Sequence, residues 1–498
     1  MRSIWAAWLL AIVGFAMATA SGCGTNDSPP TTSGTGGAGG QGGSGGQGGL
    51  ASAGGGGEGG AAMPSPCLSA PEITAEAPGF WREDALPITE AAPRYYGRFT
   101  PEVGKWLSTS TWNLPPGVDH VIRLWSEDGT ELLASSDNQP NPFTAEAAMY
   151  HYVSTPRTYC LEVLHYEDWA GEPPKLAAPY TFRLLIYPVP NLWGNGGIVA
   201  EDAGANDSVG SAQLVPTEVG KANMILGRFE DATDVDVYAL EAVNPSADYR
   251  AFGLSLPGPG GADSFGWGSD VGATITVLGP DATTVLARRS FDDMAATCSV
   301  YNLDNCLVLS PEVLGELTYV VVERQGDVSS FSNAAYSFLS TTVQFGGMKE
   351  GVDDGTNDVV AGAIELIPGV LPDGTSYSST IGQLDTDDDV DWWRLDEQPD
   401  TEAHVWCGSA FHGSGIEDLT VEAFVSNSPG TPVRTQSETP TDPIRWGVGI
   451  WKGTAAIPPL PPLPAGSTYE LKISGPTRDP DVTLDLYRCR VAQRPVAQ

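Results

Sequence analysis

The chain has 498 residues, too many for a single core, so several domains are expected. Its 62 acidic residues against 25 basic give a formal net charge of −37. That balance disfavours nucleic acid as a partner, because no basic stripe exists to displace counterions from phosphates, and it disfavours attraction to anionic lipid. It is compatible with divalent cations and cationic partners, and equally with a plain soluble acidic surface.

The amino end reads as an export signal. Arg2 supplies a short positive head, and Ile4 to Ala20 is apolar. Ala20-Ser21-Gly22-Cys23 closes the run. Small residues before a cysteine at this place mark a cleavage site rather than a membrane span. The stretch resembles the bacterial lipobox. The resemblance implies a signal peptide over 1–22, a diacylated Cys23 and a lipid bilayer as partner. An ordinary leader with an incidental cysteine is the plainer reading. Gly24 and Thr25 follow the cysteine. Similarity to the known sorting pattern implies the outer membrane, because no Asp follows, with the body periplasmic or surface-exposed. Acylation with two or three chains anchors stably, whereas one chain is marginal. No later stretch is long and apolar enough to span a bilayer.

Residues 23–66 form the expected tether. Within it, 33–62 holds 17 glycines in 30 residues and no aromatic ring. Such a run cannot bury a core and is expected to be disordered, with a root-mean-square reach of about 30 Å.

The remainder reads as all-β. Apolar runs are short, alternate with polar residues and are rich in Val, Thr, Tyr and Trp. Forty prolines and dispersed glycines punctuate them. The runs recur in order. Gly97-Arg98-Phe99, Gly227-Arg228-Phe229 and Gly382-Gln383-Leu384 open each copy. His120 to Leu124, Ala273 to Val277 and Leu419 to Ala423 follow. Each leads to a second short stretch: Leu132 to Ala134, Val285 to Ala287, and Val433-Arg434. Then come Thr158-Tyr159-Cys160, Thr318-Tyr319-Val320 and Thr468-Tyr469-Glu470. Closing strands are expected at Tyr180 to Leu184, Tyr336 to Leu339 and Val482 to Leu486. A period of about 150 residues indicates repeated domains rather than a solenoid. Three tandem jelly-roll-like β-sandwiches are expected at 67–190, 199–345 and 350–490. Short linkers at 188–197 and 345–352 suggest a semi-rigid rod of beads.

Besides Cys23 there are six cysteines: Cys67, Cys160, Cys298, Cys306, Cys407 and Cys489. An even number in an exported chain reads as disulfides, with 15 connectivities open. One bond per domain selects Cys67–Cys160, Cys298–Cys306 and Cys407–Cys489.

The second and third copies share a further constellation. Asp202, Asn206 and Asp207 precede one, and Asp353, Asn357 and Asp358 the other. Downstream stand Asp234-Val235-Asp236-Val237-Tyr238 and Asp389-Val390-Asp391-Trp392-Trp393. With the glycine strand, the Thr-Tyr strand and the closing Tyr-x-Phe strand, these motifs resemble the bacterial pre-peptidase C-terminal (PPC) domain. The resemblance covers about 200–345 and 350–489, with Val482 and Leu484 standing where aromatics are expected. The first copy keeps the strands but lacks the Asn-Asp segment and the aspartate pair, and Trp106 takes roughly the aromatic position after Gly97. The resemblance implies a jelly-roll-like fold, and a role beside secreted peptidases, on fibrous polymers or with calcium. Calcium wants six to eight oxygen ligands, and Asp202, Asn206, Asp207, Asp234, Asp236, Asp353, Asn357, Asp358, Asp389 and Asp391 are the matching positions. Alternation puts Asp234 beside Asp236, and Asp389 beside Asp391, on one face. The competing reading has these side chains cap turns.

No catalytic site emerges. Five histidines occur, none in H-E-x-x-H, and no G-x-S-x-G elbow is present. His412-Gly413-Ser414-Gly415 reads as a turn. Adjacent Trp392 and Trp393 must face opposite sides of a strand, one into the core and one outward. Trp267, Trp446 and Trp451 sit beside glycines in expected loops, either as packing residues or as sugar-stacking surface. The expectation is a non-enzymatic cell-envelope lipoprotein that binds, adheres or scaffolds, with loops at the sandwich ends supplying selectivity. The alternatives are a surface hydrolase with its site in 68–190 and an accessory subunit of a separate peptidase.

Overall fold

The computed structural model describes residues 65–115, 118–136, 147–166, 168, 179–188, 198–201, 206–215, 222–241, 250–255, 272–291, 307–309, 317–325, 335–344, 348–349, 356–370, 374–409, 412–426, 430–439, 443–447 and 457–496. Cys23, the leader, most of the tether, Asp202, Asp353, Cys298, Cys306, Trp267 and Trp451 lie outside the described residues.

The chain is all-β. A one-turn α-helix, α1 (Pro66–Ser69), precedes the first strand, and Tyr166 and Asp168 are also helical. The first body contributes β1 (Ala75–Ala77), β2 (Phe80–Ile88), β3 (Arg94–Phe99), β4 (Trp106–Trp112), β5 (His120–Ser126), β6 (Leu132–Ser136), β7 (Ala148–Tyr152), β8 (Tyr159–His165) and β9 (Tyr180–Pro188). They form two sheets, β1-β2-β9-β4-β7 and β3-β8-β5-β6.

The second body holds β10 (Ile198–Ala200), β11 (Gln213–Val215), β12 (Ala222–Arg228), β13 (Val235–Leu240), β14 (Arg250–Ser255), β15 (Gly272–Leu278), β16 (Val285–Phe291), β17 (Leu307–Leu309), β18 (Thr318–Gln325) and β19 (Ala335–Gln344). Its sheets are β10-β12-β19-β14-β17 and β11-β13-β18-β15-β16. The third body holds β20 (Met348–Lys349), β21 (Ile364–Glu365), β22 (Gly369–Val370), β23 (Ser376–Gln383), β24 (Val390–Arg394), β25 (Thr401–Gly408), β26 (Thr420–Val425), β27 (Arg434–Ser437), β28 (Ile444–Trp446), β29 (Tyr469–Ser474) and β30 (Leu486–Pro495). Its sheets are β20-β23-β30-β25-β28, with β22 on β23, and β21-β24-β29-β26-β27.

The second and third bodies repeat strand for strand, down to two parallel entry strands each. Alternation explains the elements. In β15, Ala273, Ile275 and Val277 enter the core, while Thr274 and Thr276 take the opposite face. Each sandwich closes over its own core cluster. The first body follows the same order from β2 onward, with a bridge from Glu72 to Arg98 standing in for one entry strand. The irregular step between Leu124 and Trp125 against β6 recurs between Val277 and Leu278 against β16.

Three sequence readings need correction. Gly97 lies in β3, the counterpart of β13, and not opposite Gly227. Ile88 takes that place, since Ile88 faces Tyr180 as Gly227 faces Tyr336 and Gly382 faces Tyr487. Trp106 opens β4 and packs on Tyr152, so it has no part in a glycine-strand motif. The closing strand of the third body is Leu486–Pro495, and Tyr487 supplies the aromatic that the expected register lacked.

The expected strand at Val482 leaves its own body instead. Thr483 N donates to Val285 O (3.0 Å) and Leu484 N to Leu286 O (3.1 Å), on the outer edge of β16. Leu484 joins the core of the second body. Gly413 O accepts from Arg288 N (3.0 Å), and a Cβ at Gly413 would meet Leu307 at 2.0 Å. The His412 to Gly415 segment is therefore a turn that docks one body on the next. Glu438, buried beneath Ser409 (Oγ to Oε2 2.6 Å), adds a charge opposite Arg289 of the second body. Main-chain pairing, and not the short linker alone, joins these two bodies, because an apolar edge strand left open is a liability.

Among the described residues two disulfides are present, Cys67–Cys160 and Cys407–Cys489. The first pins α1 onto β8. The second links directly opposed residues of β25 and β30.

Candidate functional site

The shared motifs of the second and third bodies converge on one place in each sandwich. In the third, Asn357 O accepts from Trp392 N (3.0 Å), which fastens the entry segment beside β24. Its Nδ2 donates to Asp391 Oδ1 (2.6 Å), while Tyr487 Oη donates to Asp391 Oδ2 (2.7 Å). Trp393 Nε1 donates to Tyr487 Oη (2.7 Å). All four residues are buried. Gly382 is required because the Tyr487 ring lies across it: a Cβ there would sit 2.2 Å from Oη.

The second body builds the same brace with different wiring. Asn206 O accepts from Val237 N (2.7 Å), and Tyr336 Oη donates to Asp236 Oδ2 (2.7 Å). Tyr238 and Tyr336 share a hydroxyl hydrogen bond of 2.7 Å. A Cβ at Gly227 would lie 2.1 Å from the Tyr336 ring. Here Glu201 reaches Asp236 and also accepts from Arg228 N (2.7 Å). Burial raises both carboxyls above the usual range, and the adjacent carboxyl raises Glu201 further.

The ten positions singled out from sequence thus part company. Asn206 with Asp236, and Asn357 with Asp391, form the buried braces. Asp234 and Asp389 precede their strands and cap the turn before them, each accepting a backbone N–H at 2.5 Å, from Glu230 and Asp385. Pairwise alternation therefore fails, since only Asp236 and Asp391 lie within strands. Asp207 and Asp358 are exposed. Among the described residues no group of three His, Cys, Asp or Glu side chains is arranged to hold a metal ion. Sequence reasoning missed Glu201 and Tyr487, and gave Tyr180, Tyr238 and Tyr336 no role beyond their strands. A tyrosine near the start of every closing strand, Tyr180, Tyr336 and Tyr487, was the available signal.

The first body replaces the brace. Tyr95 takes the register position of Asp236 and packs edge-on against Phe182, with centroids 5.9 Å apart. Tyr180 turns to His120 instead (Oη to Nε2 2.7 Å), and His120 faces His165 across β5 and β8. Burial, then the neighbouring His165, pulls His120 down to about 3 from its ordinary 6.5. His120 is neutral in the fold and charges in the unfolded chain, so stability is present above pH 6.5 and is lost as pH falls toward 3. The loss is about 1.4 kcal/mol per pH unit at full coupling. Melting of the first body is expected to drop steeply from pH 7 to 4, and His120→Gln to flatten that slope; an unchanged slope in the variant would reject this assignment.

The outer faces of the smaller sheets form a second constellation. On the first body, Glu162 is 1% exposed although it points away from the core. It accepts from Tyr96 Oη (2.8 Å), Trp125 Nε1 (2.8 Å) and Arg94 Nη1 (3.0 Å), with Arg123 at 3.7 Å. On the third body, Trp392 and Phe424 hold the register positions of Tyr96 and Trp125, with ring centroids 5.2 Å apart. The cross-strand pair Arg123–Glu162 is mirrored with reversed sign by Glu422–Lys472 (2.9 Å). Trp393 fills the core and Trp392 lies outward, as adjacent strand positions require. Trp446 is buried in β28, not in a loop, because β28 closes the edge of the larger sheet.

No family model and no curated relative matches the chain. Solved structures with some likeness include the CUB1-EGF-CUB2 domain of human MASP-1/3, at 9% identity over 53% of this chain and 100% of that one, TM-score 0.15. Tripeptidyl peptidase 2 is 10% identical over 54% and 24%, TM-score 0.16. PNGase F from Flavobacterium meningosepticum is 11% identical over 53% and 96%, TM-score 0.17. Likenesses this slight carry no argument about this chain.

Proposed function

We propose that the chain is a non-enzymatic cell-envelope lipoprotein, held to the outer membrane by acylated Cys23, whose three sandwiches act as a binding, adhesion or scaffolding module. The last two are read as PPC-like. One observation carries this reading: Asn206, Asp236, Asn357 and Asp391, which recur in the second and third bodies, are spent on internal braces, while aromatic rings and a cross-strand ion pair recur on the outer faces of the first and third. Groups consumed in buried hydrogen bonds hold a fold together; rings on a sheet surface recognise partners. Capture of an envelope component or extracellular polymer by the mature protein, with no turnover of peptide, glycan or ester substrates, is the expected result. Turnover that maps to residues 68–190 would establish the hydrolase instead. That alternative draws on His120, His165 and Tyr180, but both histidines lie within the sandwich. Co-purification with a peptidase would favour the accessory role. Loss of Cys23 should release the protein from membranes.

Calcium enters the same test. Both oxygens of Asp391 are already taken by neutral donors, as expected of a structural acceptor. Melting of the intact protein is expected to be indifferent to EDTA. A melting temperature that falls with chelator and recovers with calcium would assign the cation that the resemblance implies.

A further inference from the structure

Glu162 is the anomaly of the first body. The outer face of an antiparallel sheet is ordinarily solvated, yet this carboxylate is 1% exposed there. A buried charge is tolerated only when donors surround it. Here the donors are the fixed edges of two aromatic rings, Tyr96 Oη and Trp125 Nε1, and the Arg94 guanidinium. Arg94 is held a second time by Asp168 (2.7 Å), and Arg98 pairs with Glu127. Both rings are only partly buried, so a portion of each remains open to solvent. They are locked before any ligand arrives, which removes the ordering cost of binding.

Charge narrows the occupant. The face carries Arg94, Arg98 and Arg123 against Glu127, Glu162 and Asp168, three of each sign, and these are paired with one another. The whole chain carries −37. A polyanion would meet no unspent cation here and would be repelled by the remainder of the molecule. A polycation would be drawn to the general acidic surface and not to this place. A neutral chain of sugar rings fits. Its C–H faces stack on the aromatic rings, and its hydroxyls bond to guanidinium and carboxylate edges that are already oriented.

We infer that the outer face of β3, β8 and β5 binds a neutral polysaccharide, with Tyr96 and Trp125 as stacking rings and Arg94 and Arg123 as flanking donors. This inference rests on the reading of the chain as a binding module and names its ligand class. On the third body Trp392 holds the register position of Tyr96 and stays partly open, while Phe424 beneath it is buried, so a long polymer can add a single-ring contact there and gain avidity.

The test is affinity electrophoresis of the full mature chain through gels containing neutral glucans, mannans or galactans, beside pectate and heparin-type polyanions. Retardation by at least one neutral polymer is expected, together with quenching of tryptophan fluorescence. Tyr96→Ala should weaken retardation about tenfold, and Trp125→Ala more. Trp125→Phe should restore most of it, because a ring remains. Unchanged thermal melting shows that each variant is folded; if Trp125→Ala does not fold, Tyr96→Ala and Trp125→Phe decide. Retardation by polyanions alone, by no polymer, or equally in Tyr96→Ala overturns the inference. A chain that ignores every polysaccharide yet captures an envelope protein overturns it while leaving the binding-module reading intact. Substrate turnover overturns that reading as well.

Discussion

Asp391→Ala is expected to destabilise the third body by about 4 kcal/mol. The substitution removes the acceptor used by Asn357 Nδ2 and Tyr487 Oη, both in buried surroundings. Stranding a buried donor costs roughly 1–3 kcal/mol, and bonds to an ionised acceptor lie at the upper end. The main-chain link between Asn357 and Trp392 then has to hold the entry segment alone. Chemical denaturation followed by near-ultraviolet dichroism measures the loss, since Trp393 and Tyr487 report on this core. Asp391→Asn keeps the shape and one acceptor, and should cost about half as much. A loss below 1 kcal/mol for Asp391→Ala would mean that the brace is ornamental.

Breaking the Cys67–Cys160 disulfide should have a comparable effect on the first body. The two residues are 93 apart in sequence and both are buried. Closing a loop of that length is worth about 4–5 kcal/mol in the chain-entropy description, although strain and residual structure often reduce the yield. The bond also fixes α1 against the turn at Gly129, where φ is +71° and a Cβ would meet Cys67 Sγ at 3.0 Å. A Cys67→Ala/Cys160→Ala variant should melt well below the parent in its first-body transition while the other transitions stay put. Equal melting of both proteins would show that the helical turn is held by packing alone.

The braces and the bond differ in how they were announced. Apart from Trp393, where the second body has Tyr238, the third-body brace stands in the sequence as recurring letters: Asn, Gly, Asp and a closing-strand Tyr. Those letters by themselves leave ligand, turn cap and buried acceptor open, because the three look alike until the neighbours are known. Asp391 and Asp389 are two residues apart, yet one serves a buried hydroxyl and an amide while the other caps a turn. Glu201 was overlooked because nothing local distinguishes it from the acidic residues around it. Its role appears only once β10 is laid parallel to β12.

Strand identity, the all-β class and the threefold recurrence were determined by the sequence itself, because alternation with a period of two and β-branched composition are local properties of the chain. So was the partner of each described half-cystine, given one bond per domain. Tertiary structure alone decided where Val482 to Leu484 goes: it crosses 198 residues to the edge of β16 through Thr483 Oγ1 and main-chain bonds. Backbone pairing of that kind leaves no side-chain pattern to read. The same holds for the outer face of the first body, where Glu162 looks like any surface glutamate until Tyr96, Trp125 and Arg94 are brought over it from two other strands.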